Sequence, residues 1–286
     1  MNATRGLSKL AQAALEIEQE EALRADALGF MGRPFVQATL PHSQRSGGEY
    51  ERRNGLLWLH IQAPTRVGLP FGRYPRLLLA WISTEAVRTK SPRLELGPTL
   101  SGFMAELGLV PTGGRWGSIG RLKDQMRRLF SSTITIARDD PAGGHYEDLG
   151  FRLARRQCLW WDARSPEQAT LWGSWIELTS DFYEILTERP VPIDLRVLKA
   201  IRSPLGLDLY AWLSYRNSYL RRPTLIPWEL LHRQFGAEYG RLRDFRRSCL
   251  EQLRNVLTVY PAARLEDDPQ GLRLLPSPPH VRRLTT

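Results

Sequence analysis

Cysteine is nearly missing from this 286-residue chain: Cys158 and Cys249 are the only two. They form no CxxC and stand in no Cys/His cluster, which argues against a structural zinc site. Both have apolar neighbours and read as buried thiols rather than a disulfide pair. Long apolar runs are missing as well. The longest, "LLLAWI", has six residues, against roughly 20 needed to cross a bilayer. No secretory segment opens the chain, because "LSKLAQAALEIEQEEALRADAL" is acidic and helical. These absences point to a soluble protein of the reducing cytoplasm with no membrane partner.

Catalytic patterns are also missing. The five histidines (42, 60, 145, 232 and 280) are scattered, with no HxH pair for metal-dependent nicking. "GGRWGSIG" is glycine-rich but lacks the Lys-Ser/Thr of a phosphate-binding loop. Asp139/Asp140 and Asp267/Asp268 could hold a metal, but the proline and glycine beside them mark turns. No Ser/His/Asp or GxSxG arrangement is visible. The expectation is a protein that is not an enzyme, with no catalytic residues, no cofactor and no metal.

What the chain has in abundance is arginine. Lysine occurs four times (Lys9, Lys90, Lys123, Lys199), arginine 36 times, and the formal net charge is +10 with a pI near 10.0. Such an excess points to a polyanionic partner, most often nucleic acid, sometimes a membrane surface. The alternative is solubility charge together with a genome biased toward arginine codons. Arginine is nonetheless the residue whose fork matches phosphates and guanine edges. Hydrophobic residues make up 42%, enough for a packed core in one large domain or two ordinary ones.

Periodicity predicts a helix over 7–28, a polar loop over 41–55 and a strand at "LLWLHIQA". Pro75 opens the helix "PRLLLAWISTEAVRT". "RLELG" reads as a short strand. Thr99 can cap "LSGFMAEL", which Gly108 ends. After "PTGGRWGSIG" comes the basic helix "GRLKDQMRRLF", then "SSTITIAR", a turn "DDPAGGHYED" and a return strand "LGFRLARRQCLWW". In the second half, Asp194 can cap "DLRVLKAIRSP". "LGLDLYAWLSYRNSYL", a short helix "TLIPWELLHRQFG" with Pro227 in its first turn, and "RLRDFRRSCLEQLRNVL" follow. "LTVYPAARL" reads as a strand, "EDDPQG" as a turn and "LRLLP" as the return.

Both halves therefore show the order of a winged helix: helix, helix-turn-helix, then a β-hairpin wing. Three local matches recur in the same order. Leu78-Leu79-Ala80-Trp81-Ile82-Ser83 matches Leu209-Tyr210-Ala211-Trp212-Leu213-Ser214. Gly120-Arg121-Leu122-Lys123-Asp124 matches Gly240-Arg241-Leu242-Arg243-Asp244. Asp139-Asp140-Pro141-Ala142-Gly143 matches Asp267-Asp268-Pro269-Gln270-Gly271. They are placed at helix one, helix three and the wing tip, and in series they favour an internal duplication. The expected fold is α+β: an N-terminal helix (1–28) and two tandem winged-helix domains, 29–175 and 176–286.

On a helical wheel Leu122, Met126, Leu129 and Phe130 share an apolar sector. Arg127 and Arg128 lie opposite with Asp124, and Arg121 and Lys123 flank them. In the second basic helix Leu242, Phe245, Cys249, Leu250, Leu253 and Val256 form the stripe. Arg243, Arg247 and Arg254 face out, and Arg246 falls near the apolar edge. A helix of this kind fits the major groove of double-stranded DNA. The candidate DNA-binding residues are Arg121, Lys123, Arg127, Arg128, Arg241, Arg243, Arg247 and Arg254. Arg138, Arg152, Arg155 and Arg156 could reach phosphates from the flanks of the first wing, or simply face solvent. Trp160, Trp161, Trp172 and Trp175 cluster near the domain junction. Stacking on unpaired bases is open to them, but packing is favoured.

"GFMGRPFVQATLPH", "LPFGRYPRLLLAWISTEAVRTK", "LGPTLSGFMAELGL" and "GRLKDQMRRLF" resemble the plasmid-encoded RepA replication initiators of broad-host-range, IncW-like plasmids. The resemblance runs from about Gly29 to Pro276. It implies two winged helices gripping repeated origin sites (iterons) in successive major grooves. It also implies origin opening, recruitment of the host initiator and helicase, and a homodimer in equilibrium with the DNA-binding monomer that represses its own promoter. A transcriptional regulator of similar fold and an origin nickase are the alternatives from other classes.

Overall fold

The computed structural model describes residues 2–140, 142–159, 164–168, 173–236 and 238–281. Trp160, Trp161 and Trp172, and Pro141 of the expected wing tip, lie outside the described residues.

The chain opens on α1 (Asn2–Gln19) and turns before β1 (Leu28–Met31). The helix expected over 7–28 thus stops well short of residue 28. Its end is set from afar: the Arg196 guanidinium donates to the Glu16 and Glu20 carbonyls, each at 2.9 Å. The Glu16 carbonyl also accepts the Glu20 amide at 3.2 Å, and a cation at a helix C-terminus suits the helix dipole. β1 pairs antiparallel with β9 (Val191–Asp194), Leu28 opposite Asp194 and Met31 opposite Val191. After the short α2 (Arg33–Gln37) come β2 (Glu49–Asn54) and β3 (Leu57–Gln62), a hairpin turning at Gly55 with φ +61. The polar loop expected over 41–55 therefore contains a strand. Only Tyr50 of β2 is buried, so its composition looked like a loop.

The first unit runs α3 (Arg73–Thr89), β4 (Arg93–Glu95), α4 (Leu100–Glu106) and α5 (Ser118–Ser131). Thr99 Oγ1 accepts the Gly102 amide at 3.1 Å and caps α4. β5 (Thr133–Asp140), β6 (His145–Arg152), β7 (Ala154–Cys158) and β8 (Trp175–Leu178) follow. β5 and β6 pair with each other, but they extend the β2–β3 hairpin into a four-stranded sheet, β2-β3-β5-β6. The strand after α3 pairs elsewhere, in the sheet β4-β8-β7. The hairpin expected as the first wing is thus an insertion, and the wing strands are β7 and β8. The expected boundary at 175/176 falls inside β8. That unit continues into α6 (Ser180–Glu188), capped by Thr179 and packed on α3.

After the short α7 (Leu195–Ala200), capped by Asp194, the second unit runs α8 (Pro204–Asn217), β10 (Thr224–Pro227), α9 (Trp228–Phe235) and α10 (Leu242–Val259). β11 (Leu265–Asp268) and β12 (Gly271–Leu274) complete the sheet β10-β12-β11. "TLIP", expected as the start of a helix, is strand β10. Proline can close it because it leaves no ladder donor behind. The strand expected at "LTVYPAARL" begins only at Leu265, because α10 continues to Val259.

Both units place helix, strand, helix, helix and two strands in one order, with the last strand in the middle of the sheet. The packing repeats as well. The Trp81 ring meets Phe103 edge-on at 5.0 Å, joining α3 to α4. Trp212 meets Phe235 at 5.5 Å, joining α8 to α9. Ser83 Oγ donates to the Leu79 carbonyl at 2.7 Å and Ser214 Oγ to that of Tyr210 at 3.0 Å. Trp81 and Trp212, and the pairs Ser83–Leu79 and Ser214–Tyr210, occupy equivalent positions of the first sequence match. The third match does not share a place: Asp139-Asp140 end β5 in the inserted hairpin, whereas Asp267-Asp268 end β11 in the wing.

Candidate nucleic-acid interface

α5 packs on α3 and α10 on α8, so the third helix of each unit rests on the first and turns its polar side outward. Leu122, Met126, Leu129 and Phe130 are buried in α5, and Phe245, Cys249, Leu253 and Val256 in α10. The matched Gly-Arg-Leu-basic-Asp segments enter their helices differently. Gly120 lies inside α5, which starts at Ser118, whereas Gly240 and Arg241 precede α10.

In the second unit Arg241, Arg243, Arg247 and Arg254 are all exposed. Arg243 and Arg247 are 76% and 82% accessible, each 3.8 Å from Asp244. Exposed pairs at that distance hold a side chain weakly, so both guanidinium groups are free to meet a polyanion. Arg246 is engaged elsewhere: it bonds Asp267 on β11 at 2.7 Å and lies over the Trp228 ring at 5.2 Å, tying α10 to the wing. α1 packs on α10 and α7. The cavity beside them, lined by Ala14, Ile17, Thr258 and Tyr260, lies at the carboxyl end of α10, away from Arg243 and Arg247. The turn from Gly236 to Arg241 is pinned by the chain before β2, through Ser43 Oγ to Glu238 at 2.5 Å and Arg45 to Glu238 at 3.3 Å.

In the first unit Lys123 and Arg127 are exposed, but two of the expected contacts are occupied by the protein itself. Arg128 is only 15% accessible; it bonds Asp124 at 2.7 Å and the Leu69 carbonyl at 3.3 Å, with the Phe71 ring 5.4 Å away. The loop before α3 folds over this flank of α5, where the Phe71 amide also donates to buried Gln125 Oε1 at 2.8 Å. Arg121 donates Nε and an Nη to the Trp116 carbonyl, the first at 3.1 Å, and so braces the turn in front of its helix. Of the wing candidates, Arg138 is exposed on β5, and Arg152 donates to the Phe130 carbonyl at 3.1 Å. Arg155 and Arg156 are exposed on β7, and Arg156 and Arg93 flank the Trp175 ring at 5.9 and 4.3 Å. Trp175 therefore packs within the sheet of the first unit.

Both cysteines are free thiols; Cys249 is buried, and burial pushes its thiol up to about 12. Among the described residues no helix is long and apolar enough to cross a membrane.

The two units are fixed to one another. Arg76 on α3 bonds both carboxylate oxygens of Asp208 on α8 at 2.7 Å and donates to the Leu40, Pro41 and Gly72 carbonyls. His42 completes the cluster, its Nε2 2.8 Å from Asp208 Oδ2. The carboxylate can only accept, so Nε2 is the protonated ring nitrogen. Burial lowers the pKa of His42 and opposes the charge on Asp208. The Arg76 charge and the hydrogen bonds from His42 and Arg76 outweigh that burial and hold Asp208 below the usual carboxylate range.

Two crystal structures of domains 2 and 3 of RctB have the same fold. One, a selenomethionine derivative, superposes with a TM-score of 0.57 at 12% identity over 85% of this chain and 97% of the other. The second gives 0.53 at 14% identity over 84% and 94%. No curated protein sequence matches the chain. The family model described as "Plasmid encoded RepA protein" matches residues 69–229, from the loop before α3 to the start of α9, which is more than half of the chain. The chain belongs to this family of plasmid-encoded RepA proteins and is a plasmid replication initiator.

Proposed function

We propose that the chain initiates plasmid replication by binding repeated sites (iterons) in double-stranded origin DNA, with α5 and α10 as its recognition helices. The observation that carries this reading is α10. It is the third helix of a unit with winged-helix strand order, and it offers Arg241, Arg243, Arg247 and Arg254, all exposed, to solvent. The topologically equivalent α5 offers Lys123 and Arg127. Two such helices on one rigidly joined body suit two successive major grooves on one face of a duplex. The protein contributes binding energy and no catalysis of its own. Bound monomers open the adjacent DNA and recruit the host initiator and helicase, while a homodimer represses the initiator's own promoter; these steps rest on the family membership.

Footprinting the full chain on its plasmid's origin tests the reading. Protection of repeated sites, phased by one helical turn on one face, is expected. Replacing Arg243 and Arg247 together by alanine should abolish protection while circular dichroism and the unfolding midpoint stay as in the parent. The slope of log affinity against log salt should also flatten by about one for each phosphate no longer bound. Normal affinity in the double variant overturns the assignment of α10.

A further inference from the structure

The turn of the first helix-turn-helix, from Leu107 to Gly117, is longer than its counterpart from Gly236 to Arg241, and the added length is used to present an apolar tip. Trp116 is 75% exposed and Val110 69% exposed, the two largest exposures among the large hydrophobic side chains described. Neither side chain has a core role, yet the backbone that carries them is firmly built. Ser118 Oγ donates to the Val110 carbonyl at 2.6 Å, the Thr112 amide donates to Ser118 Oγ at 2.9 Å, and the Ser118 amide donates to Thr112 Oγ1 at 2.9 Å. The Ile119 amide reaches the Thr112 carbonyl at 3.3 Å, and the Arg121 guanidinium grips the Trp116 carbonyl. Gly117 has no room for a Cβ, which would collide with the Thr112 and Gly113 carbonyl oxygens, and Gly114 takes φ +81. A solvent-exposed indole on a braced turn loses little conformational entropy on binding, so its exposure favours a contact made with a partner.

The surroundings narrow the partner. Arg115 lies beside the ring, its Cζ 5.1 Å from the centroid, and exposed Lys123 and Arg127 follow on α5. The tip is apolar and its rim is cationic. Trp116 stands immediately before the amino end of α5, and the amino-terminal residues of a recognition helix are the ones that meet base edges. In the major groove the apolar group on those edges is the thymine 5-methyl. We infer that Trp116 is a specificity-determining residue that packs against a thymine methyl in the half of the duplex site occupied by α5, with Arg115 on the neighbouring phosphate. This inference rests on the proposed binding of origin repeats by α5 and α10.

The test uses the full chain and a duplex carrying one footprinted origin repeat, with each thymidine replaced in turn by deoxyuridine. That exchange removes one methyl and leaves every hydrogen-bonding group in place. Affinity is read by fluorescence anisotropy for the parent, Trp116→Ala and Trp116→Phe. At one or two positions in one half-site the parent should lose about fourfold, the value of one buried methyl-sized group. Trp116→Ala should bind the thymidine duplex more weakly and be indifferent to deoxyuridine at those positions, and Trp116→Phe should keep part of the sensitivity. Equal methyl sensitivity in the parent and Trp116→Ala overturns the inference, as does parent affinity in Trp116→Ala. A Trp116→Ala protein that binds the repeat normally yet fails to support replication places a protein partner on the tip and also overturns it. Failure of the parent to bind any origin repeat sinks the proposed function itself, so the two outcomes are distinct.

Discussion

Arg76 and Asp208 form a two-pronged ion pair, Nε and Nη2 each 2.7 Å from a carboxylate oxygen, and the pair joins the first helix of one unit to the first helix of the other. Both side chains are buried, at 4% and 7% accessibility. Burying charge is costly, and this pair is compensated because Arg76 also meets three backbone carbonyls and Asp208 also accepts from His42. The separation and angle of α5 and α10 depend on α3 and α8, which these two residues connect.

Removing one partner should therefore cost more than removing both. Asp208→Ala leaves Arg76 buried without its counter-charge and is expected to destabilise the chain by about 3–5 kcal/mol. The double replacement Arg76→Met/Asp208→Leu should recover much of that loss. Urea unfolding of the parent, the single variants and the double variant measures the coupling. Strict additivity would show that the pair acts as two independent residues.

Neighbouring arginines on α5 should behave oppositely. Arg128→Ala removes a bond to the Leu69 carbonyl and the packing against Phe71, and is expected to cost about 1–2 kcal/mol of stability. Arg127→Ala removes an exposed side chain and should leave stability within about 0.5 kcal/mol while weakening origin binding and reducing its salt dependence. Thermal unfolding and anisotropy on the same two proteins separate the roles. A larger stability loss for Arg127→Ala would contradict the difference in burial between the two side chains.

His280 is expected to make folding sensitive to mild acid. Its Nδ1 lies 2.8 Å from the Tyr210 hydroxyl, which also accepts from the Asp194 amide at 2.8 Å. Burial lowers the imidazole from 6.5 to about 4, and the attraction of Asp194 only partly offsets it. Between those values the unfolded chain binds the proton and the folded chain does not. The contribution to stability is complete above pH 6.5 and is lost as pH falls toward 4, amounting to at most about 3 kcal/mol. Comparing unfolding at pH 7 and pH 5 for the parent and His280→Gln isolates it: the variant should show the smaller drop. An equal drop in both proteins would place the sensitivity elsewhere, with buried His42 the next group to replace.

The helices could be read from the chain because their causes are local. The stripes at Leu122, Met126 and Leu129 and at Phe245, Cys249 and Leu253 follow from 3.6-residue periodicity. The caps at Thr99 and Asp194 follow from one side chain reaching an amide two or three residues on. The exposed basic face of α10 was legible for the same reason. Arg128 was not, because the loop that covers it comes from residues 68–71. The two tips that gave the third sequence match look alike because a turn needs aspartate, proline and glycine in either setting.

The amino-acid sequence by itself determined the α+β class, the excess of positive charge, the recurrence of the Trp-bearing first helix and the family. Each of these resides in composition or in contacts a few residues apart. The tertiary structure decided which strands form the wing, where the first unit ends and which arginines remain free. It also decided that α1 rests on α10 and that Arg76 meets Asp208. Strand pairing, buried ion pairs and loops laid over helices depend on residues distant in the chain, and a periodicity carries no record of which distant segment will fill a given face.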